Sequence, residues 1–236
     1  MLQTERVRRV YGGLVAIDDV DLAVGGGEIV GLIGPNGAGK TTFFNLVSGA
    51  VPVSGGRVVC CGREITHLRP HERAELGIGR TFQIMKPLPR LSVLENVLVG
   101  AFLRHPGRRE ATRWATEVLE FLQLGRVAAQ PAGSLTTAGR KRLEVAKALA
   151  LRPTVLLLDE VVAGLTPTET AEMIALIRRI RDRGITIIMV EHVMRVIMDL
   201  SDRVVVLNHG RKIAEGPPGK VAADPEVIRA YLGSRR

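Results

Sequence analysis

The chain has 236 residues, 46% hydrophobic and 24% charged. These are globular values that exclude disorder and coiled coil and suit one large domain. Its 33 basic against 24 acidic residues give a net charge of +9, but aromatics at 3% are too few for the stacking platforms of a single-strand nucleic-acid binder, and no zinc-finger or RNA-recognition pattern occurs. No apolar run approaches the roughly 18 residues of a membrane span, and charged residues 1–9 precede no signal-peptide core, so the protein is expected in the cytosol. Adjacent Cys60 and Cys61 offer neither a disulfide nor a metal-ligand spacing and are expected as reduced thiols.

In chain order, residues 6–30 read as short β-like stretches with turns at Gly12-Gly13 and Gly25-Gly26-Gly27, an antiparallel edge. The apolar run 29–33 predicts a buried strand. It stops at Gly34-Pro35-Asn36-Gly37-Ala38-Gly39-Lys40-Thr41-Thr42, and a helix is expected from about Gly39 to about Ser48. The pattern is G-x-x-x-x-G-K-S/T, the P-loop, a cradle for phosphates. Gly34, Gly37 and Gly39 lack a Cβ, so the backbone can turn several N–H donors into one concavity. Lys40 adds a full positive charge and the helix N-terminus a partial one. The Thr41 hydroxyl is placed to ligate the Mg²⁺ that accompanies a nucleoside triphosphate.

Ser54-Gly55-Gly56 turns the chain into a strand at 57–60, and 70–76 reads as a short helix. After Gln83, a loop with Pro87 and Pro89 opens helical periodicity at 93–102, 109–122 and 140–151. Trp114 and Phe121, seven apart on one of these helices, read as core packing. Residues 85–151 are therefore expected as an inserted helical subdomain, with 1–84 and 152–236 forming the nucleotide-binding core of a single domain. The apolar runs 155–158 and 185–190 predict central parallel strands covered on both faces, joined by a crossover helix at 168–181. Arg178, Arg179, Arg181 and Arg183 read as that helix's solvated face. The expected fold is α/β, a P-loop core with a mostly parallel sheet, an antiparallel β edge near the N-terminus and a helical insertion.

Asp159 and Glu160 end the run Leu156-Leu157-Leu158, at the edge where a doubly wound sheet exposes its ligand crevice. Asp159 suits a carboxylate holding Mg²⁺ through water. Glu160, pointing elsewhere, can polarise an attacking water.

Taken together, these motifs closely resemble the ATP-binding cassette family over nearly the whole chain. The resemblance implies that Tyr11 stacks on adenine, Gln83 reaches the metal and the attacking water, and His192 contacts the γ-phosphate. The family's signature segment aligns with Leu135-Thr136-Thr137-Ala138-Gly139, where Ala138 and Gly139 stand for a usual glycine and glutamine. Val161 replaces a usual proline and Thr166 a usual Asp or Asn. In the family's arrangement one chain cannot place the signature on its own P-loop, which implies a dimer with a like or sister ATPase. Arg80-Thr81-Phe82-Gln83, Val93-Leu94-Glu95-Asn96-Val97, Leu143-Glu144-Val145-Ala146 and residues 224–233 resemble the ATPases of branched-chain amino-acid importers. The resemblance implies ATP and Mg²⁺ as cofactors and ATP hydrolysis as the activity. It also implies a membrane permease as partner, docked on the helical insertion at the inner face of the membrane, with a solute-binding protein acting indirectly. Urea or amide importers, lipopolysaccharide exporters and non-transport cassettes acting on nucleic acid or ribosomes remain as alternatives; no nucleic acid is expected.

Overall fold

The structure is a computed structural model and describes residues 1–82 and 87–232. Gln83 lies outside the described residues. The elements run β1 (Leu2–Tyr11), β2 (Leu14–Val24), β3 (Ile29–Ile33), α1 (Lys40–Ser48), β4 (Gly55–Cys60), β5 (Arg63–Glu64), α2 (Pro70–Glu75), β6 (Ile78–Arg80), α3 (Val93–Ala101), α4 (Arg108–Phe121), α5 (Thr137–Ala150), β7 (Val155–Asp159), α6 (Pro167–Arg181), β8 (Thr186–Val190), α7 (Met194–Leu200), β9 (Arg203–Asn208), β10 (Arg211–Gly216), α8 (Pro218–Ala222) and α9 (Pro225–Leu232).

The larger sheet has the order β10-β9-β3-β8-β7-β6 and is parallel except for β10. Every residue of its central strands β3, β7 and β8 is buried, and nearly all are apolar, because both faces are covered. Val30 and Leu32 of β3 join the core beneath α1, whereas Ile29 and Ile33 join the core beneath the helices on the other side. β5, β6, β9 and β10 are not among the strands expected from sequence.

The N-terminal strands form a sheet of their own, β2-β1-β4-β5, rather than an edge of the parallel sheet. Register shifts along β1, with Arg6 at φ 44° and Asp19 at φ 50°, bend the ribbon. Leu2, Val7, Ile17 and Leu22 thereby turn onto Phe43, Phe44 and Leu46 of α1. The far end of α1 is held by buried Arg73, whose guanidinium donates to the carbonyls of Leu46 and Val47 at 2.6 and 2.8 Å.

Helices α3, α4 and α5 lie between β6 and β7 in sequence. Their buried residues, Val93, Ala115 and Leu143 among them, belong to the same apolar cluster as Leu156 and Ile187 of the sheet. α5 begins at Thr137, earlier than the periodicity suggests, because the Thr136 hydroxyl accepts the Gly139 N–H and caps it. Trp114 packs as expected, its Nε1 donating to the Ala150 carbonyl at 2.9 Å. The arginines at the end of α6 depart from a plain solvated face. Arg179 and Arg183 lie over the Phe121 ring at 4.5 and 3.6 Å, and Arg178 pairs with Asp199 at 2.6 Å. Thr166 caps α6 reciprocally with Glu169, which explains a hydroxyl residue at that position.

Candidate active site

Between β3 and α1 the three glycines take φ values of 149°, 78° and 103° at Gly34, Gly37 and Gly39. Two of them are required by space as well. A Cβ on Gly34 would lie 2.1 Å from the Leu207 carbonyl oxygen, and one on Gly39 would lie 2.6 Å from that of Ala16. α1 has no side-chain cap and no acidic residue in its first turn. Its N-terminal N–H groups are thus left for an external anion. Lys40, 7% exposed, donates from Nζ to the carbonyls of Gly34 at 2.6 Å and Pro35 at 3.0 Å. Burial lowers its pKa, and the opposing pull comes from Glu160 and Asp159, which places both acids within electrostatic reach of the loop.

Asp159 ends β7, its amide donating to Thr81 Oγ1 at 2.9 Å. Burial raises its pKa against the pull of Arg80, whose Nη2 stands 3.4 Å from Oδ2. The same guanidinium donates to Asn45 Oδ1 and Ser48 Oγ at 2.6 and 2.9 Å, so Arg80 ties the P-loop helix to the acid-bearing strand. Asp159 Oδ1 is buried without a partner among the described residues. Glu160 leaves the strand with φ 50°, anchored by its N–H on the Val190 carbonyl at 2.9 Å. That turn separates the two carboxylates, and Glu160 Oε1 meets His192 Nε2 at 2.8 Å.

Tyr11, Asn36, Gly37, Ala38, Gly39, Lys40, Thr41, Thr42, Glu160 and His192 line one cavity of about 460 Å³. Tyr11 is 41% exposed at its rim, with Arg9 over its ring at 4.4 Å. The signature residues Leu135, Thr136, Ala138 and Gly139 line a different cavity of about 360 Å³, with Arg142, Glu169 and Glu172, and Thr137 is exposed beside them. The turn His209-Gly210 also lines the first cavity; no local motif marks it, because its partners lie far away in the chain. Gly210, at φ 78°, donates to the Ala38 carbonyl at 3.0 Å and accepts from Asp18 N–H at 2.9 Å, clamping the P-loop to β2. Lys141 and Glu191 are likewise site residues that the sequence motifs do not single out, and Arg80 stands in a segment of resemblance that assigns it no role.

The donor chemistry fits Mg²⁺. The orphaned Asp159 Oδ1 and the Thr41 hydroxyl are hard oxygens, and among the described residues no group of three or more His, Cys, Asp or Glu could hold a metal alone. Mg²⁺ binds in that way, with few protein ligands and the remainder from water and substrate phosphate.

Behind the acids lies a second buried charge. Glu191, 3% exposed, accepts the Val162 N–H on Oε1 at 3.0 Å, and burial pushes its pKa up to about 7. A carboxyl whose folded pKa exceeds its unfolded value of 4.5 stabilises the fold fully below that value, and the contribution is lost as pH rises through about 7. Glu191→Gln, which keeps the Oε1 acceptor, is therefore expected to gain stability relative to the parent between these limits. The gain should reach about 3 kcal/mol by order of magnitude, read from urea unfolding at a series of pH values. A parent and variant with parallel pH curves would remove Glu191 as the titrating group.

A strand, a glycine-rich anion cradle and a helix facing two acids at the carboxyl edge of a parallel sheet define a P-loop nucleoside-triphosphate-binding protein. The ABC transporter family model matches residues 17–163, and a branched-chain amino acid ATP-binding cassette transporter model matches residues 211–236. Similar curated proteins include the high-affinity branched-chain amino acid transport ATP-binding protein BraF of Pseudomonas aeruginosa, 38% identical over 99% of this chain and 98% of its own. LivG of Escherichia coli K12, described in the same words, is 39% identical over 94% of each chain. Among solved structures, a nucleotide-free ATP-binding cassette from an ABC transporter superposes with TM-score 0.91 at 30% identity over 99% of both chains. A dimeric cassette in a post-hydrolysis state with ADP and Pi superposes at 0.84 and 26% identity, covering 92% of this chain and 99% of that one. The chain belongs to the ATP-binding cassette family of transporter ATPases.

Proposed function

We propose that this chain hydrolyses Mg²⁺-ATP to drive import of branched-chain amino acids, working in a pair of cassettes docked on a membrane permease. The observation that carries the hydrolytic reading is the convergence of Lys40, Glu160 and His192 on one cavity with the P-loop amides. The solute rests on the names of the relatives.

In this reading Lys40 and the loop N–H groups hold the β- and γ-phosphates, and Tyr11 packs on the base. Thr41, Asp159 and, from the sequence, Gln83 would hold Mg²⁺, which supplies charge neutralisation at the phosphate oxygens. Glu160 orients water and accepts its proton at the free carboxylate oxygen, while the imidazole at Oε1 fixes the carboxylate's direction. His192 is thereby placed where charge builds on the γ-phosphate. Water's oxygen forms the new bond to phosphorus as the bond to ADP breaks. The signature residues sit on a separate cavity, which supports their use by a second cassette. No helix among the described residues is long and apolar enough to cross a membrane. In this reading the path for solute belongs to partner subunits, as the relatives' names as ATP-binding proteins of transport systems support. Val99, 61% exposed, and Phe102, 43% exposed, on and just beyond α3 offer the permease an apolar contact.

The test is reconstitution of the chain with its co-encoded permeases and solute-binding protein in vesicles. ATP-dependent uptake of leucine, isoleucine or valine is the expected result. Uptake of urea or a short amide instead, or none of these with ATP still turned over, would overturn the solute assignment.

A further inference from the structure

Lys141 is a lysine that the proposed chemistry does not use, yet it is only 6% exposed. It lies on α5, the helix that begins at the capped signature segment. Its Nζ donates to the backbone carbonyl of Glu160 at 2.5 Å. Glu191 holds the same short stretch, accepting the Val162 N–H at 3.0 Å, and its second oxygen has no hydrogen-bond partner among the described residues. Burial pushes the Glu191 pKa up and the Lys141 ammonium pulls it back down, so the two groups lie within electrostatic reach of each other.

That stretch needs holding. Glu160 is a non-glycine residue at φ 50°, a conformation that costs about 1–3 kcal/mol and persists only where the surroundings impose it. The left-handed turn is also what aims the carboxylate at His192 rather than along the path of Asp159. Three ties impose it: the Glu160 N–H on Val190, the Glu160 carbonyl on Lys141 and the Val162 N–H on Glu191. The first comes from the sheet. The second comes from α5, a rigid 14-residue helix with the signature segment at its head.

We propose that Lys141 and Glu191 are positioning residues for the catalytic carboxylate, Lys141 tying its turn mechanically to the signature helix and Glu191 to the end of β8. A displacement of the head of α5, where a second cassette's nucleotide would rest, moves the Lys141 ammonium and with it the Glu160 turn. The inference rests on Glu160 being the acid that activates water.

The experiment uses the full chain in its assembled transporter. Lys141→Met is expected to lower kcat about tenfold while the ATP dissociation constant stays within about twofold, and Lys141→Arg, which restores a donor, should recover most of the rate. Hydrogen exchange at the amides of Glu160 and Val162 should quicken in Lys141→Met but not in Lys212→Met, where a surface lysine paired with Glu215 is removed. Since Lys141→Met leaves a buried acid uncompensated, the double variant Lys141→Met/Glu191→Gln is measured alongside, and its kcat should fall as well. A parent-like kcat in either folded variant, loss of affinity in parallel with rate, or unchanged exchange would overturn the proposal. Glu160→Gln in the same assay separates the two readings. If it is slow while Lys141→Met is parent-like, only this inference fails; if it turns over like the parent, the acid assignment fails with it.

Discussion

Glu160→Gln is expected to lower kcat about 10²- to 10³-fold, roughly 3–4 kcal/mol of transition-state stabilisation, with ATP affinity unchanged. The substitution keeps the size of the side chain and an oxygen for the His192 Nε2 that now stands 2.8 Å from Oε1. It also leaves the main-chain bond from Glu160 to Val190 at 2.9 Å untouched, so the turn that aims the side chain survives. What disappears is the negative oxygen that accepts a proton from water, a loss felt only as the reaction proceeds. With binding intact and hydrolysis slow, the variant should accumulate as an ATP-closed dimer. Steady-state ATPase rates, nucleotide titration and size-exclusion chromatography in Mg²⁺-ATP measure the three consequences. A rate within about twofold of the parent would move the base to another group.

Lys40→Ala is expected to act at the earlier step and abolish useful nucleotide affinity, with a loss of at least about tenfold to a hundredfold. That range corresponds to about 1.5–3 kcal/mol for a hydrogen bond to a charged group. The physical argument is concentration of charge. Lys40 is 7% exposed, bound to the first two carbonyls of the loop, and is a cation facing Asp159 and Glu160. Without it, a polyanionic triphosphate would enter a cleft in which two carboxylates lie within electrostatic reach of the phosphates. Equilibrium binding of a slowly hydrolysed ATP analogue reads the effect directly. Unchanged affinity would mean that the amides alone carry the phosphates and that the cradle works without its ammonium.

The strands and helices with strong local signals were legible in the residues. β3, α1, β7, α6 and β8 fall within a residue or two of the sequence reading because buried parallel strands are unbroken apolar runs and Thr166 caps its helix in the way a sequence displays. β6, with three residues, is too short for a period to show, whereas the β9–β10 hairpin was not read although β9, with the buried run Val204 to Leu207, is longer than β3 and carries the same kind of signal. The antiparallel strands were read correctly in kind. Their separation into a second sheet was not legible, because it depends on bulges at Arg6 and Asp19 and on Phe43 and Phe44 waiting beneath.

For the site the division follows the range of each interaction. The P-loop is a local object: glycines, lysine and helix N-terminus are contiguous, so residues 34–42 by themselves determine an anion cradle, and Asp159-Glu160 at the end of an apolar strand determine a place for acids. Everything that joins those pieces is long-range. Gly210 clamping Ala38, Arg80 bridging Asn45 to Asp159, Lys141 reaching the Glu160 carbonyl and Glu191 the Val162 amide are each single hydrogen bonds or ion pairs between residues far apart in the chain. No spacing rule encodes such pairs. They exist because the parallel sheet stacks the carboxyl ends of β3, β7 and β8 side by side and the apolar clusters on its two faces press α1 and α5 against that edge. Chemistry of the parts was thus decided by neighbouring residues, and their convergence by the burial of two hydrophobic faces.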